Sequence, residues 1–167
     1  MKNIVLIGMP GCGKSAVGRL LGEMLNMPLV DTDTMVEQEQ GMTIPEIFEQ
    51  FGEPAFRDME SRAAKTAAAM DGAVIATGGG MVLRQENMQA LSGTGVVFFR
   101  DRAVADIAGQ DMTDRPLVGA GSDRLYELYE QRIGLYRKYA DYIISDTQTA
   151  QQAAERIAAL YAQECEV

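Results

Sequence analysis

Ile4-Val5-Leu6-Ile7-Gly8-Met9-Pro10-Gly11-Cys12-Gly13-Lys14-Ser15 is the stretch on which the reading of the chain turns. Its first four residues are apolar without a break and rich in β-branched side chains, which predicts a strand buried on both faces. The run stops at glycine and proline. From Ser15 to Met27 the residues Val17, Leu20, Leu21, Met24 and Leu25 recur at helical spacing. Residues 8–15 therefore fit G-x-x-x-x-G-K-[ST] in the context that gives the pattern meaning, after a buried strand and at a helix start. The glycines let the backbone curl so that successive N–H groups point into one concavity, and the helix N-terminus adds positive potential. Lys14 reaches the β and γ phosphates of a nucleotide, and Ser15 offers its hydroxyl to magnesium. An ordinary glycine turn needs neither a lysine nor the hydroxyl after it. Cys12 reads either as a small residue that does not block phosphate, or as a redox-sensitive thiol in the field of the helix N-terminus.

Working outward, Pro28-Leu29-Val30 reads as a second strand ending at Asp31-Thr32-Asp33, which completes a βαβ unit. Residues 73–76 run as a strand into Thr77-Gly78-Gly79-Gly80, and residues 95–99 and 142–144 give two more. Helical patterns lie near 34–40, 44–51, 54–70, 85–91, 102–108, 122–139 and 149–164. Short strands alternating with helices predict a mostly parallel sheet covered on both faces. No repeat or linker divides the 167 residues, so a single domain is expected over 1–167. Residues 109–121 carry glycines, a proline and little periodicity, and read as a mobile lid.

The composition, 47% hydrophobic and 23% charged, is that of a globular protein able to bury a core. Fifteen Lys and Arg against 24 Asp and Glu give a net charge of -9, which repels nucleic acid and anionic membrane surfaces. A bound anion must then be held by local groups. The absence of histidine removes the commonest general base, the Ser-His-Asp arrangement and every His-containing metal site. Cys12 and Cys165 have no metal-ligand spacing and suggest no disulfide framework, so a reducing cytoplasm is expected. The apolar run at 4–7 is too short for a signal sequence, and no stretch approaches the ~18 apolar residues of a membrane span.

The strand at 73–76 ends without a carboxylate for magnesium. Asp31 and Asp33 are the substitutes, and alternation turns one toward magnesium and the other toward an acceptor hydroxyl; a turn or N-cap pair for the helix near Thr34 is the competing use. Arg132 falls in an apolar stripe formed by Leu125, Leu128, Tyr129 and Tyr136, and a cation there demands an anion. Arg57 precedes Glu60 by three residues, which alone suggests a helix-surface pair worth ~0.2–0.5 kcal/mol. Arg115 is the only basic residue between Ala103 and Asp123. It reads as a solvated loop cation or as a lid group that stabilises a transferring phosphoryl group. Gly78-Gly79-Gly80 is a tight turn, or a place where backbone approaches a ligand closely with N–H groups free to donate.

Together the phosphate loop, Asp31-Thr32-Asp33, Phe56-Arg57-Asp58-Met59-Glu60, Gly78-Gly79-Gly80, Arg115-Pro116-Leu117 and Arg132 with Leu135-Tyr136 resemble the shikimate kinase family over nearly the whole chain, in order and spacing. The resemblance implies a three-layer α/β/α fold like that of nucleoside monophosphate kinases, with a five-stranded parallel sheet in the order 2-3-1-4-5. It implies transfer of the γ-phosphoryl group of MgATP to the 3-hydroxyl of shikimate, on the route to chorismate and aromatic amino acids. By that resemblance Gly11, Cys12, Gly13, Lys14, Ser15, Ala16 and Arg115 bind ATP, and Lys14, Asp33 and Arg115 are catalytic. Shikimate falls to Asp33, Arg57, Gly79 and Arg132, with Gly78 and Gly80 completing the loop, Phe48 and Phe56 as apolar walls, and Glu60 holding Arg57. This acceptor-binding helical region spans roughly 33–62. Magnesium falls to Ser15 directly and to Asp31 through water. The implied partners are shikimate and ATP, with no nucleic acid and no membrane, and a monomer is expected. The chain departs from the family at Ala108-Gly109-Gln110, where many members carry an adenine-stacking arginine, and at Ala16, where a second hydroxyl is common. Weaker ATP affinity or looser purine selectivity is the expectation from the first departure.

Overall fold

The computed structural model describes residues 1–108, 122–145, 147 and 149–166. Five strands, β1 (Asn3–Ile7), β2 (Leu29–Asp31), β3 (Val74–Ala76), β4 (Gly95–Arg100) and β5 (Tyr142–Ile144), form one sheet in the order β2-β3-β1-β4-β5. Every pairing is parallel. The central strand β1 is buried throughout, as its unbroken apolar run requires.

Alternation along the strands sends side chains to two separate cores. Ile4 and Leu6 of β1 and Phe98 of β4 pack with Val17 and Leu21 of α1 (Lys14–Leu25) and Ile157 of α7 (Ala150–Cys165). Val5, Ile7 and Phe99 point the other way, onto Ala64 of α3 (Ile44–Ala68), Leu91 of α4 (Gln85–Thr94) and Leu128 and Tyr136 of α6 (Ser122–Tyr139). Each fully buried aliphatic side chain contributes about 1.5–3 kcal/mol, so these two layers carry the fold. A smaller cluster of Val36, Ile47, Phe56 and Met59 joins α2 (Thr32–Gln40) to α3.

The helices expected separately over 44–51 and 54–70 run on as α3, broken by a non-helical Gly52 at φ 82, ψ 170. Pro54, which has no N–H to donate to the preceding turn, stands two residues later. The kink lets the second half carry Arg57 and Glu60 inward, where both are buried. A 3-10 turn at Met81–Leu83 and a short α5 (Val104–Ala108) complete the described elements. The expected lid at 109–121, with Arg115, lies outside the described residues.

Candidate active site

Ligands of open α/β sheets bind beyond the carboxyl ends of the strands, and the motif residues gather at that edge here. At the end of β1 the loop turns into α1 through Gly13, whose φ of 92 and ψ of 20 lie in the left-handed region that side chains resist. Lys14 is the first residue of α1 and only 8% exposed. Its Nζ donates to the carbonyls of Gly8 at 2.7 Å and Met9 at 2.9 Å, and leans on Cys12 Sγ at 3.7 Å. Cys12 is buried in the apolar layer, and its N–H donates to the Met9 carbonyl at 3.2 Å. That burial denies its thiol the access a redox switch needs. Ala16 is exposed on the first turn of α1.

Asp31 closes β2 and serves two purposes at once. Its Oδ1 accepts from the N–H groups of Asp33 at 2.9 Å and Thr34 at 3.2 Å, capping α2, while its Oδ2 accepts from Ser15 Oγ at 2.9 Å. The capping and metal-side uses are therefore compatible. Asp33 points elsewhere because it lies in the first turn of α2; strand alternation, the expected reason, does not apply. Burial pushes its carboxyl up from an ordinary 3.8 to about 7, helped by the negative charges of Asp31 and Glu60 and opposed by Lys14.

None of Gly78, Gly79 and Gly80 has a left-handed φ, so what they supply is space. A Cβ on Gly78 would stand 2.6 Å from Asp33 Oδ1 and 3.0 Å from Glu60 Oε2. On Gly79 it would meet Pro10 Cδ at 2.6 Å, and on Gly80 it would meet Arg57 Nη1 at 2.1 Å. The glycine loop is thus packed against the site's own side chains as well as the phosphate loop. Its N–H groups are not all free, since Gly78 N–H donates to Thr32 Oγ1 at 3.2 Å.

Arg57, read from spacing alone as half of a surface pair, is 7% exposed. Its Nη1 donates to Glu60 Oε1 at 3.0 Å, and its Nη2 lies 3.6 Å from Glu53 Oε1. The guanidinium sits 5.2 Å from the Phe56 ring centre, and that ring packs on Phe48 at 5.0 Å. Among the described residues, buried Glu60 Oε2 and Arg57 Nε have no hydrogen-bond partner. Burial raises the Glu60 carboxyl, while the charge of Arg57 and its hydrogen bond hold it back. Arg132 of α6 is 4% exposed and acts electrostatically on both Glu60 and Tyr136. On the other side of the phosphate loop Arg100 ends β4, buried, with Nη1 donating to Thr147 Oγ1 and its carbonyl close against Gly8.

This arrangement supplies a phosphate cradle, a carboxylate near neutral pKa, and, around Glu60, the two buried guanidinium groups of Arg57 and Arg132, which suit an anion. Among the described residues no cluster of three or more His, Cys, Asp or Glu could hold a metal alone. Ser15 Oγ and Asp31 Oδ2 do present two hard oxygens at the phosphate loop, the donor set that suits magnesium shared with phosphates. Sequence reasoning missed Glu53, although its place four residues before Arg57 on a helix was a usable signal. It also missed Pro10 beneath Gly79 and the hydrogen bond from Tyr136 to the Gly79 carbonyl, which no local spacing reveals. Among the described residues no helix is long and apolar enough to cross a membrane.

The family model for shikimate kinase matches residues 10–162. A curated relative, shikimate kinase of Clostridium beijerinckii, is 45% identical over 146 residues, covering 86% of each chain. Among solved structures, shikimate kinase from Acinetobacter baumannii in complex with shikimate superposes with a TM-score of 0.90 at 32% identity, over 99% of this chain and 94% of that one. Shikimate kinase from Aquifex aeolicus gives 0.85 at 32% identity over 98% of each.

Proposed function

From the premise that this chain belongs to the shikimate kinase family, and is an ATP-dependent kinase of the shikimate hydroxyl, we infer how its residues divide the work. One observation carries the assignment: two buried arginines and a carboxylate of raised pKa surround a glycine loop that touches the phosphate loop. Arg57 and Arg132 pair with the carboxylate of shikimate. Arg57 is already oriented by Glu60 and Glu53, so little side-chain freedom is lost on binding. Asp33 accepts the hydrogen bond of the 3-hydroxyl and takes its proton as the oxygen bonds to the γ-phosphorus of ATP, while the bond from that phosphorus to the β–γ bridging oxygen breaks and ADP leaves. Phe48 and Phe56 wall the ring, and Gly78, Gly79 and Gly80 let it approach the backbone.

On the donor side the amides of residues 11–16 cradle the phosphates, and Lys14 neutralises charge on the transferring group. Arg115 is assigned the same task from the lid, on the strength of its sequence motif. Magnesium, bound by Ser15 and through water by Asp31, supplies charge neutralisation of the phosphates. With a loose transition state, in-line placement and charge matter more than a strong base, which suits a chain without histidine. In this reading residues 1–167 act as one catalytic unit, a monomer in the cytoplasm, consistent with two free cysteines.

Removing one arginine tests the acceptor site. Charge-assisted hydrogen bonds contribute about 1.5–3 kcal/mol, so Arg132→Ala is expected to weaken shikimate binding about 10- to 100-fold. MgATP binding should stay within about twofold. Calorimetric titration of each substrate reads both, and unchanged shikimate affinity would reject the assignment.

A further inference from the structure

The hydroxyl of Tyr136 joins groups that the reaction keeps apart in sequence. It donates to the Gly79 carbonyl at 2.6 Å and lies 4.0 Å from Met9 Sδ of the phosphate loop. Arg132 stands one helical turn earlier on the same face of α6, and its positive charge acts on the phenol. The ring has no exposed surface and stacks on Phe99 of β4 at 5.0 Å, so it is anchored to the central sheet. A phenol has one proton to give and lone pairs to offer. Here the proton goes to the glycine loop. Burial raises the phenol pKa further, so the donor is present at every working pH.

We propose that Tyr136 is a positioning residue for the acceptor: through its hydroxyl it sets the distance between Arg132 and the Gly79 loop, and so tunes recognition of a carboxylate-bearing substrate. It touches neither the phosphoryl group nor the acceptor, and acts through the two groups that do. The idea rests on the reading that Arg132 and Gly79 contact shikimate. Without the hydroxyl, the Gly79 carbonyl loses a buried donor and α6 loses its tie to the glycine loop, so Arg132 and Gly79 become free to shift relative to each other. Misplacement of this kind moves acceptor recognition while leaving the nucleotide cradle alone.

Steady-state kinetics of Tyr136→Phe, Arg132→Lys and Phe99→Leu, each measured below its own melting transition, separate the possibilities. Tyr136→Phe is expected to raise KM for shikimate about tenfold, with KM for MgATP and kcat within about threefold. It should also narrow the preference for shikimate over its methyl ester, which lacks the negative charge. Phe99→Leu loosens the ring and keeps the hydroxyl, so it should lower the melting temperature and leave both KM values within about twofold. A Tyr136→Phe enzyme with unchanged shikimate KM, beside an Arg132→Lys enzyme with a raised one, would overturn the role of Tyr136 alone. Equal rises in both KM values, or the same rise in Phe99→Leu, would likewise reduce Tyr136 to packing. An unchanged shikimate KM in Arg132→Lys would instead sink the acceptor-site reading beneath it.

Discussion

Asp33→Asn is expected to lose turnover by about 10²–10⁴-fold, the range of a positioned acid–base group, while MgATP still binds. The amide keeps the shape of the carboxyl beside Gly78 but cannot take the proton of the acceptor hydroxyl. The same substitution should stabilise the fold. An acid whose folded pKa is raised from 3.8 to about 7 contributes stability that is fully present below pH 4 and is lost as pH rises through 7. The melting temperature of the wild type should therefore fall relative to Asp33→Asn between about pH 4 and pH 7, leaving the variant a few degrees more stable above that. Activity has the opposite sign, since the ionised form is the base: wild-type kcat/KM should climb toward pH 7 and level off above it. Thermal denaturation at pH 5 and pH 8 beside a pH–rate profile checks both. An Asn variant that turns over within about threefold of wild type would remove Asp33 from catalysis.

Gly80→Ala should be nearly as damaging, although it removes no functional group. Its Cβ would stand 2.1 Å from Arg57 Nη1 and 2.6 Å from Cζ, so the guanidinium must leave its place. That place is buried and bounded by Glu60, and separating a buried pair costs about 3–5 kcal/mol. The expected result is at least about a 100-fold loss of kcat/KM for shikimate, a lower melting temperature, and MgATP affinity within about twofold. Because Gly80 has φ -94, no backbone strain competes with this explanation. A variant with normal shikimate KM would show that Arg57 can move without consequence.

Local patterns were read directly where a few neighbouring residues determine them. The apolar run of β1, the helical period of α1 and the glycine–lysine–serine turn between them needed no distant partner. The strand order, by contrast, came from the family resemblance, because nothing in β1 says which strands flank it. Helix α4 runs through Thr94 although its apolar spacing ends at Leu91, where Ser92-Gly93-Thr94 offers nothing to bury. Arg57 is the sharpest case in the site. Its spacing to Glu60 was legible, but its burial depends on the kink at Gly52 and on Gly80, more than twenty residues away. Tyr136 and the Gly79 carbonyl are separated by 57 residues, and only the fold brings them together. Asp31 shows how two readings of one residue can both hold, since one oxygen caps a helix while the other meets Ser15.

The negative charge balance of the chain gains a local meaning from this geometry. In the proposed reading, a chain of net charge -9 binds two anionic substrates through Lys14, Arg57 and Arg132, all of which it buries. The most direct test is ADP release from MgATP, measured by a coupled assay with shikimate, gluconate and nucleoside monophosphates as separate acceptors. The predicted result is stimulation by shikimate alone, abolished in Asp33→Asn. Absence of stimulation by shikimate, or equal stimulation by gluconate or a nucleoside monophosphate, would contradict the account.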